Sequence, residues 1–215
     1  MGAMSILLET PSTESVRAAC ERFDRENALA EQTLAELFQQ YPRNDDLRHV
    51  LLKVVCVNAL YNTCIFTLEA VARHIHDHAG EIDALLQEAS PSVIDVIAKM
   101  NVQGKKYNFY SFATKYCSWH NPDAYPIYDA HVDQYLWKAQ QRQPFAGFQH
   151  PDLCNYARFH DIMQSFRTAY GLEDFSFKDL DKFLYMQWQR PASTAADEPQ
   201  PGPGAFDFFP APELA

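Results

Sequence analysis

Apolar residues recur at helical spacing along most of the chain. Val16, Cys20, Phe23, Ala30, Leu34 and Leu37 lie near a 3.6-residue period. Thr10 precedes this run as an N-cap with Pro11 at the first helical position, and Tyr41-Pro42 ends it. Asn44 or Asp45 is placed to cap the next element, where residues 51–57 are apolar on nearly every side, as in a helix buried at the centre of a domain. Residues 58–63 interrupt it. A further helix is predicted from about Cys64 to His78, with Gly80 as its stop. Two shorter helices follow over 81–88 and 91–100, the second with Ser90 as cap and Pro91 at its first position.

Residues 101–108 read as a loop. Phe109, Phe112, Ala113, Tyr116, Cys117 and His120 then form one broad apolar face, ended by Asn121-Pro122. An extended connection through Tyr125-Pro126 leads to Asp129 as N-cap of a helix reaching about Gln140. Helices over about 151–170 and 176–189 complete the pattern, and no strand pattern is strong enough to assign. The expected fold is all-α, a compact multi-helix bundle over residues 11–190. Residues 1–10 read as a tag-like, disordered start, because Gly2 and Ala3 before a second methionine look like an added leader. From 191 to 215 the chain turns to Pro, Gly, Ala and acidic residues, a composition that cannot bury enough to fold, so a disordered tail is expected there.

Composition narrows the class further. With 215 residues, 47% hydrophobic positions and only 7 glycines, the chain suits one helical domain better than a turn-rich sandwich. No apolar run approaches the ~20 residues of a membrane span, and the start lacks a signal-type core, so a cytoplasmic protein is expected. The 5 cysteines are widely spaced without a C-x-x-C pair, which argues for free thiols and against a structural zinc or iron–sulfur cluster. His74 and His78 share a helical face near a helix end, where solvated histidines are commoner than a metal site; no cofactor is expected. The formal net charge of −10 opposes tight non-specific binding to nucleic acid, whose affinity comes largely from Lys and Arg. A local basic patch built from Lys105 and Lys106 with Arg142 or Lys138 is compatible with it, as are ordinary solvated charges.

The chemically suggestive segment is Tyr125-Pro126-Ile127-Tyr128-Asp129-Ala130-His131-Val132. An aspartate capping a helix sets a carboxylate beside the positive end of the helix dipole, although such a residue is most often only a cap. Pro126 to Val132, followed by an apolar helix with Leu136, resembles the Pro-apolar-apolar-Asp-x-x-Val segment of the helix-hairpin-helix DNA glycosylase superfamily. The stretch 50–65, with Asn58 and Asn62 at a helix-turn-helix corner, resembles that family's Asn/Gln-bearing corner. The resemblance spans about residues 45–138.

The resemblance implies a DNA N-glycosylase that flips a damaged or modified base out of the duplex, in repair or in attack on modified foreign DNA. Asp129 would stabilise the positive charge developing on the sugar. A lysine on the preceding helix would add backbone-cleaving lyase activity through a Schiff base. Lys115 is the first candidate for that amine and Lys106 the second; the family's position falls nearer the helix start, where this chain has Tyr110. Asn58, Asn62, Trp119, Tyr128 and His131 are the expected substrate-binding residues, and Lys105, Lys106 and Asn108 the expected DNA contacts. The family's glycine-rich phosphate-binding turn has no counterpart in residues 105–109, with only Gly104 nearby. A non-catalytic helical DNA- or protein-binding adaptor is the alternative that this departure favours. In the tail, Phe206, Asp207, Phe208 and Phe209 loosely resemble sliding-clamp-binding peptides and imply a protein partner of that kind.

Overall fold

The computed structural model describes residues 9–188. The tail reading, including Phe206 to Phe209, lies outside the described residues, as does most of the tag-like start. Within 9–188 the chain is mostly helical: α1 (Thr13–Gln40), α2 (Leu47–Tyr61), α3 (Leu68–Asp77), α4 (Ala79–Gln87), α5 (Val93–Ala98), α6 (Tyr110–His120), α7 (Ala130–Arg142), α8 (Tyr156–Ala169) and α9 (Phe177–Met186). A 3-10 turn (His150–Cys154) precedes α8. The long α1 packs along α9, α2 lies against α3 and α6, and α7 meets α9. Fully buried Val50, Val54, Ile97, Leu136, Phe159 and Phe183 bring α2, α5, α7, α8 and α9 into one core.

The fold is not purely helical, which corrects the all-α expectation. Residues 101–108, expected to form a loop, belong to an antiparallel hairpin of β1 (Lys99–Val102) and β2 (Lys105–Asn108) with Val102 opposite Lys105. The two-residue turn places Gln103 at φ 52° and Gly104 at φ 84°, both left-handed as a tight hairpin turn requires. Gln-Gly is a weaker turn signal than Asn-Gly, and four-residue strands are too short for their alternation to register.

Several boundaries moved because side chains chose other partners. Ser12, not Thr10, caps α1 by accepting from the Ser15 N–H at 3.1 Å. Asp46, not Asn44 or Asp45, caps α2. Gly80 sits inside α4 instead of ending a helix, and the third helix starts at Leu68 instead of Cys64.

Helix α2 is not buried all round: Leu52 and Val55 are exposed, whereas the charged Lys53 is fully buried. Lys53 faces inward because the end of α1 supplies oxygen acceptors. Its ammonium donates to the Tyr41 and Arg43 carbonyls, both at 3.1 Å, and to Asn44 Oδ1 at 2.8 Å. A fourth contact, 3.3 Å to His120 Nε2, makes that nitrogen an acceptor and leaves His120 neutral. Burial, reinforced by the Lys53 charge, holds His120 well below its usual range. None of the helices among the described residues is long and apolar enough to cross a membrane.

Candidate functional site

Asp129 caps α7 as its position in the sequence predicts. Its backbone is extended, and Oδ1 accepts from the N–H groups of His131 and Val132, both at 3.0 Å. One oxygen is therefore spent on the helix, and Oδ2 is left for another partner. That partner is Lys115, whose Nζ lies 3.5 Å away with its side chain only 4% exposed. Lys115 does not run out to solvent. It turns along α6 to donate to Ser111 Oγ at 2.9 Å and the Tyr128 carbonyl at 3.5 Å.

Asp129 opens into a cleft between α1, α2 and α9, walled by Phe23, Leu34, Leu60 and Tyr185 and carrying Glu31 and Asp181 on its polar side. Its free volume is about 30 Å³, room for about one water molecule. A second lysine closes the polar wall. Lys178 Nζ donates to Glu31 Oε1 at 3.2 Å and to Tyr61 Oη at 3.1 Å, and sits 4.3 Å above the Trp119 ring. The Trp119 indole N–H also donates to Tyr61 Oη, at 3.2 Å. Two ammonium groups and three carboxylates thus share one small, partly apolar volume.

The electrostatics follow from that crowding. Burial alone would lower the Lys178 pKa, but Tyr61, Glu31 and Asp181 around it outweigh burial and raise it. Burial pushes the Tyr61 phenol up to about 12. Asp181 rises from 3.8 to about 6; burial is the main cause, Lys178 opposes it and Asp129 adds to it. Because its folded pKa is the higher one, ionised Asp181 destabilises the fold above pH 6, and the penalty is relieved as pH falls towards 3.8. Asp181→Asn is accordingly expected to raise stability at pH 7.5 by about 1–3 kcal/mol. Thermal melts at pH 7.5 and pH 4 check this, the gain vanishing at the lower pH.

The other sequence-predicted residues divide into three groups. Trp119 reaches the cleft wall through Tyr61. His131 stacks on Trp188 at 4.5 Å and lies close enough to Asp129 and Lys115 for both charges to act on it; burial is the larger influence and lowers its pKa. Tyr128 turns away, donating to Asp133 Oδ2 at 3.0 Å, and only its carbonyl meets Lys115. Tyr110, where the glycosylase resemblance would place a lysine, donates to the Leu153 carbonyl.

Asn58 is committed to the corner after α2. Its Oδ1 accepts from the Thr63 hydroxyl at 2.8 Å and the Ile65 N–H at 2.9 Å. Asn62 ends α2 in the left-handed region at φ 43° and Cys64 follows at φ 56°, a pair of turns that throws Phe66 outward, 95% exposed. Lys105, Lys106 and Asn108 stand exposed on β2, away from the cleft lining. Lys106 is thus no rival to Lys115 for the place beside Asp129.

Glu31, Tyr61, Lys178 and Asp181 were not singled out from the sequence. They come from α1, α2 and α9, far from residue 129 in the chain. The one available signal was a charged residue on the apolar side of an amphipathic helix.

Fold and site together define a mostly helical protein with a lysine–carboxylate cleft. The family model described as "HI_0787_N: N-terminal domain" matches residues 15–124, and the chain belongs to that family. The match carries Glu31, Tyr61, Lys115 and Trp119 but stops before Asp129, Lys178 and Asp181. A protein of Haemophilus influenzae (strain ATCC 51907 / DSM 11121 / KW20 / Rd), described as an uncharacterized protein, is 36% identical over 137 residues. The alignment covers 64% of this chain and 65% of that relative, just under two thirds of its length. No solved structure matches the chain.

Proposed function

We propose that the chain is a DNA N-glycosylase that removes a damaged or modified base, with Asp129 facing the sugar and Lys115 as the amine. The observation that carries this reading is the ion pair of Lys115 Nζ with Asp129 Oδ2 at 3.5 Å, buried at the edge of a cleft with aromatic walls. A carboxylate held by a helix N-terminus suits an oxocarbenium-like transition state, because its charge is oriented before the reaction begins. The amine is placed to add to the same sugar carbon once it gives up its proton, forming a Schiff base with the opened sugar. Lys105 and Lys106 on the hairpin supply phosphate contacts through side chains, where the resembling family uses glycine-rich backbone. Phe66 stands on the same groove as Lys105, beside Arg73 and Tyr107.

Two features support a second reading, a non-catalytic helical binding module. The cleft's free volume of about 30 Å³ is far below that of a nucleobase, and the net charge of −10 weakens any hold on DNA. For the catalytic reading, the cleft has to open between α1 and α9 as the nucleotide enters.

A single-turnover assay over a panel of modified-base duplexes, with borohydride present, separates the two. The expected result is base release together with a trapped covalent adduct that disappears in Lys115→Ala. Release of no base from any duplex, with no DNA affinity at low salt, would leave the binding module as the reading.

A further inference from the structure

The lysines of the cleft are both engaged. Lys115 is held by Asp129, Ser111 and the Tyr128 carbonyl; Lys178 is held by Glu31 and Tyr61. Three carboxylates face these two cations, so one carboxylate lacks an ion pair of its own. That group is Asp181: it lines the cleft with Asp129 and Glu31, and has no salt bridge or side-chain hydrogen bond among the described residues. A carboxyl group left over in this way, lining the same cleft as a carboxylate suited to positive charge on the sugar, supplies the second group that acid-assisted bond cleavage needs.

We infer that Asp181 is the proton donor to the departing base, acting in the same cleft as Asp129. This rests on the N-glycosylase reading of the same cleft. In the step, the bond between the sugar C1′ and the base nitrogen breaks and its electron pair leaves with the base. The Asp181 carboxyl proton passes to a base nitrogen, and the positive charge left on the sugar faces Asp129. Water then adds to C1′ and its surplus proton returns to the Asp181 carboxylate, so the enzyme ends in its starting state. When the neutral Lys115 amine adds instead, the proton lost on forming the C–N bond goes to the same carboxylate.

The surroundings keep a proton within reach of Asp181 near neutral pH. Glu31 on α1, Lys115 on α6, Asp129 at the start of α7 and Lys178 on its own helix are the titratable groups that act on it, and Tyr61 on α2 lines the same cleft. Burial, with Asp129 and Glu31 adding and the two lysines opposing, gives a carboxyl that titrates near pH 6. A group of that kind can both donate and recover a proton in one turnover.

The test uses leaving groups that differ in their need for a proton. Hypoxanthine departs as a neutral base only if it is protonated, whereas 7-methylguanine already carries its positive charge. Single-turnover release is measured from duplexes containing each, with the full chain and with Asp181→Asn, which is nearly isosteric. The expected result is a loss of about 100-fold or more for hypoxanthine and a change of less than about threefold for 7-methylguanine. The wild-type rate on hypoxanthine should also fall above about pH 6 while the rate on 7-methylguanine stays flat.

Melting of the variant at or above the wild-type temperature excludes misfolding as the cause of the loss. Equal loss on both duplexes, or no loss on either, from a wild-type protein that is active overturns the assignment of Asp181. A wild-type protein that releases neither base, nor any other base on the panel, sinks the glycosylase reading and the proton donor with it.

Discussion

Under the proposed N-glycosylase function, Asp129→Asn is expected to lower single-turnover base release by about 10²–10³-fold, the range seen when one preorganised charge-stabilising group is removed. The fold should survive the change. The two backbone N–H groups at His131 and Val132 both bond Oδ1, and an amide oxygen accepts them equally well. What is lost is Oδ2, the oxygen that meets Lys115 at 3.5 Å. An amide nitrogen there would turn two donors towards each other and leave a buried cation short of a partner, costing about 1–3 kcal/mol. A double-mutant cycle separates chemistry from stability. Lys115→Met combined with Asp129→Asn should recover most of that loss in thermal melts, because neither charge then remains unpaired. It should recover no base release. If Asp129→Asn releases base at the wild-type rate, the carboxylate is a cap and nothing more.

Lys53→Met carries the largest expected effect on stability. The ammonium is fully buried and satisfies two backbone carbonyls and Asn44 Oδ1. Asn44 is itself buried and bridges to Asp83 and to the Tyr116 hydroxyl, at 2.6 Å each. Methionine fills the volume but strands those oxygens, at about 1–3 kcal/mol for each group left unsatisfied, offset in part by no longer burying a charge. A net loss of about 2–4 kcal/mol follows, read as a fall in Tm of roughly 5–15 °C.

The pH dependence of this difference has a definite sign. Burial lowers the Lys53 pKa from 10.5 to about 8. Its folded pKa is therefore below its unfolded one, so charging Lys53 penalises the fold below pH 8, and the penalty fades as pH rises from 8 to 10.5. The wild type should gain on Lys53→Met across that window. At the acid end, neutral His120 adds a slope of the same sign: the unfolded chain takes up its proton below about pH 6.5, so stability falls as pH falls through that range. Urea melts of both proteins between pH 5 and pH 10 measure the two slopes.

The buried lysine also shows where sequence reading reached its limit. Residues 51–57 read as apolar on nearly every side, and the inward position of Lys53 among them was invisible. A charged residue turns inward only if acceptors meet it, and those acceptors stand on the irregular segment after α1. Asn58 misled in the opposite direction. A polar side chain at a corner resembles a ligand-binding group, yet its oxygen is consumed by its own loop, since left-handed residues at 62 and 64 leave the Ile65 N–H to be satisfied locally. Tyr128 sits next to Asp129 in the chain but its hydroxyl ends on Asp133, because adjacent residues in an extended segment point to opposite sides.

The local features of the site were readable from one dimension. Proline restricts the residue before it, aspartate caps a helix with its own backbone, and period 3.6 separates an inner from an outer face. Those rules placed α1, α6, α7 and α9 and identified Asp129 as a cap, whereas Lys115 came forward only as the amine that the glycosylase resemblance implies. They act over a few residues and need no knowledge of the rest of the fold. Tertiary structure alone decided that Lys115 is buried against Asp129, and that Glu31 and Lys178, 147 positions apart, meet across the cleft. It also decided that, of the cleft's carboxyls, Asp181 is the one without an ion pair among the described residues. Which charges pair in a low-dielectric volume depends on which helices pack together, and that is fixed by the apolar surfaces on their other faces, not by the spacing of the charges themselves.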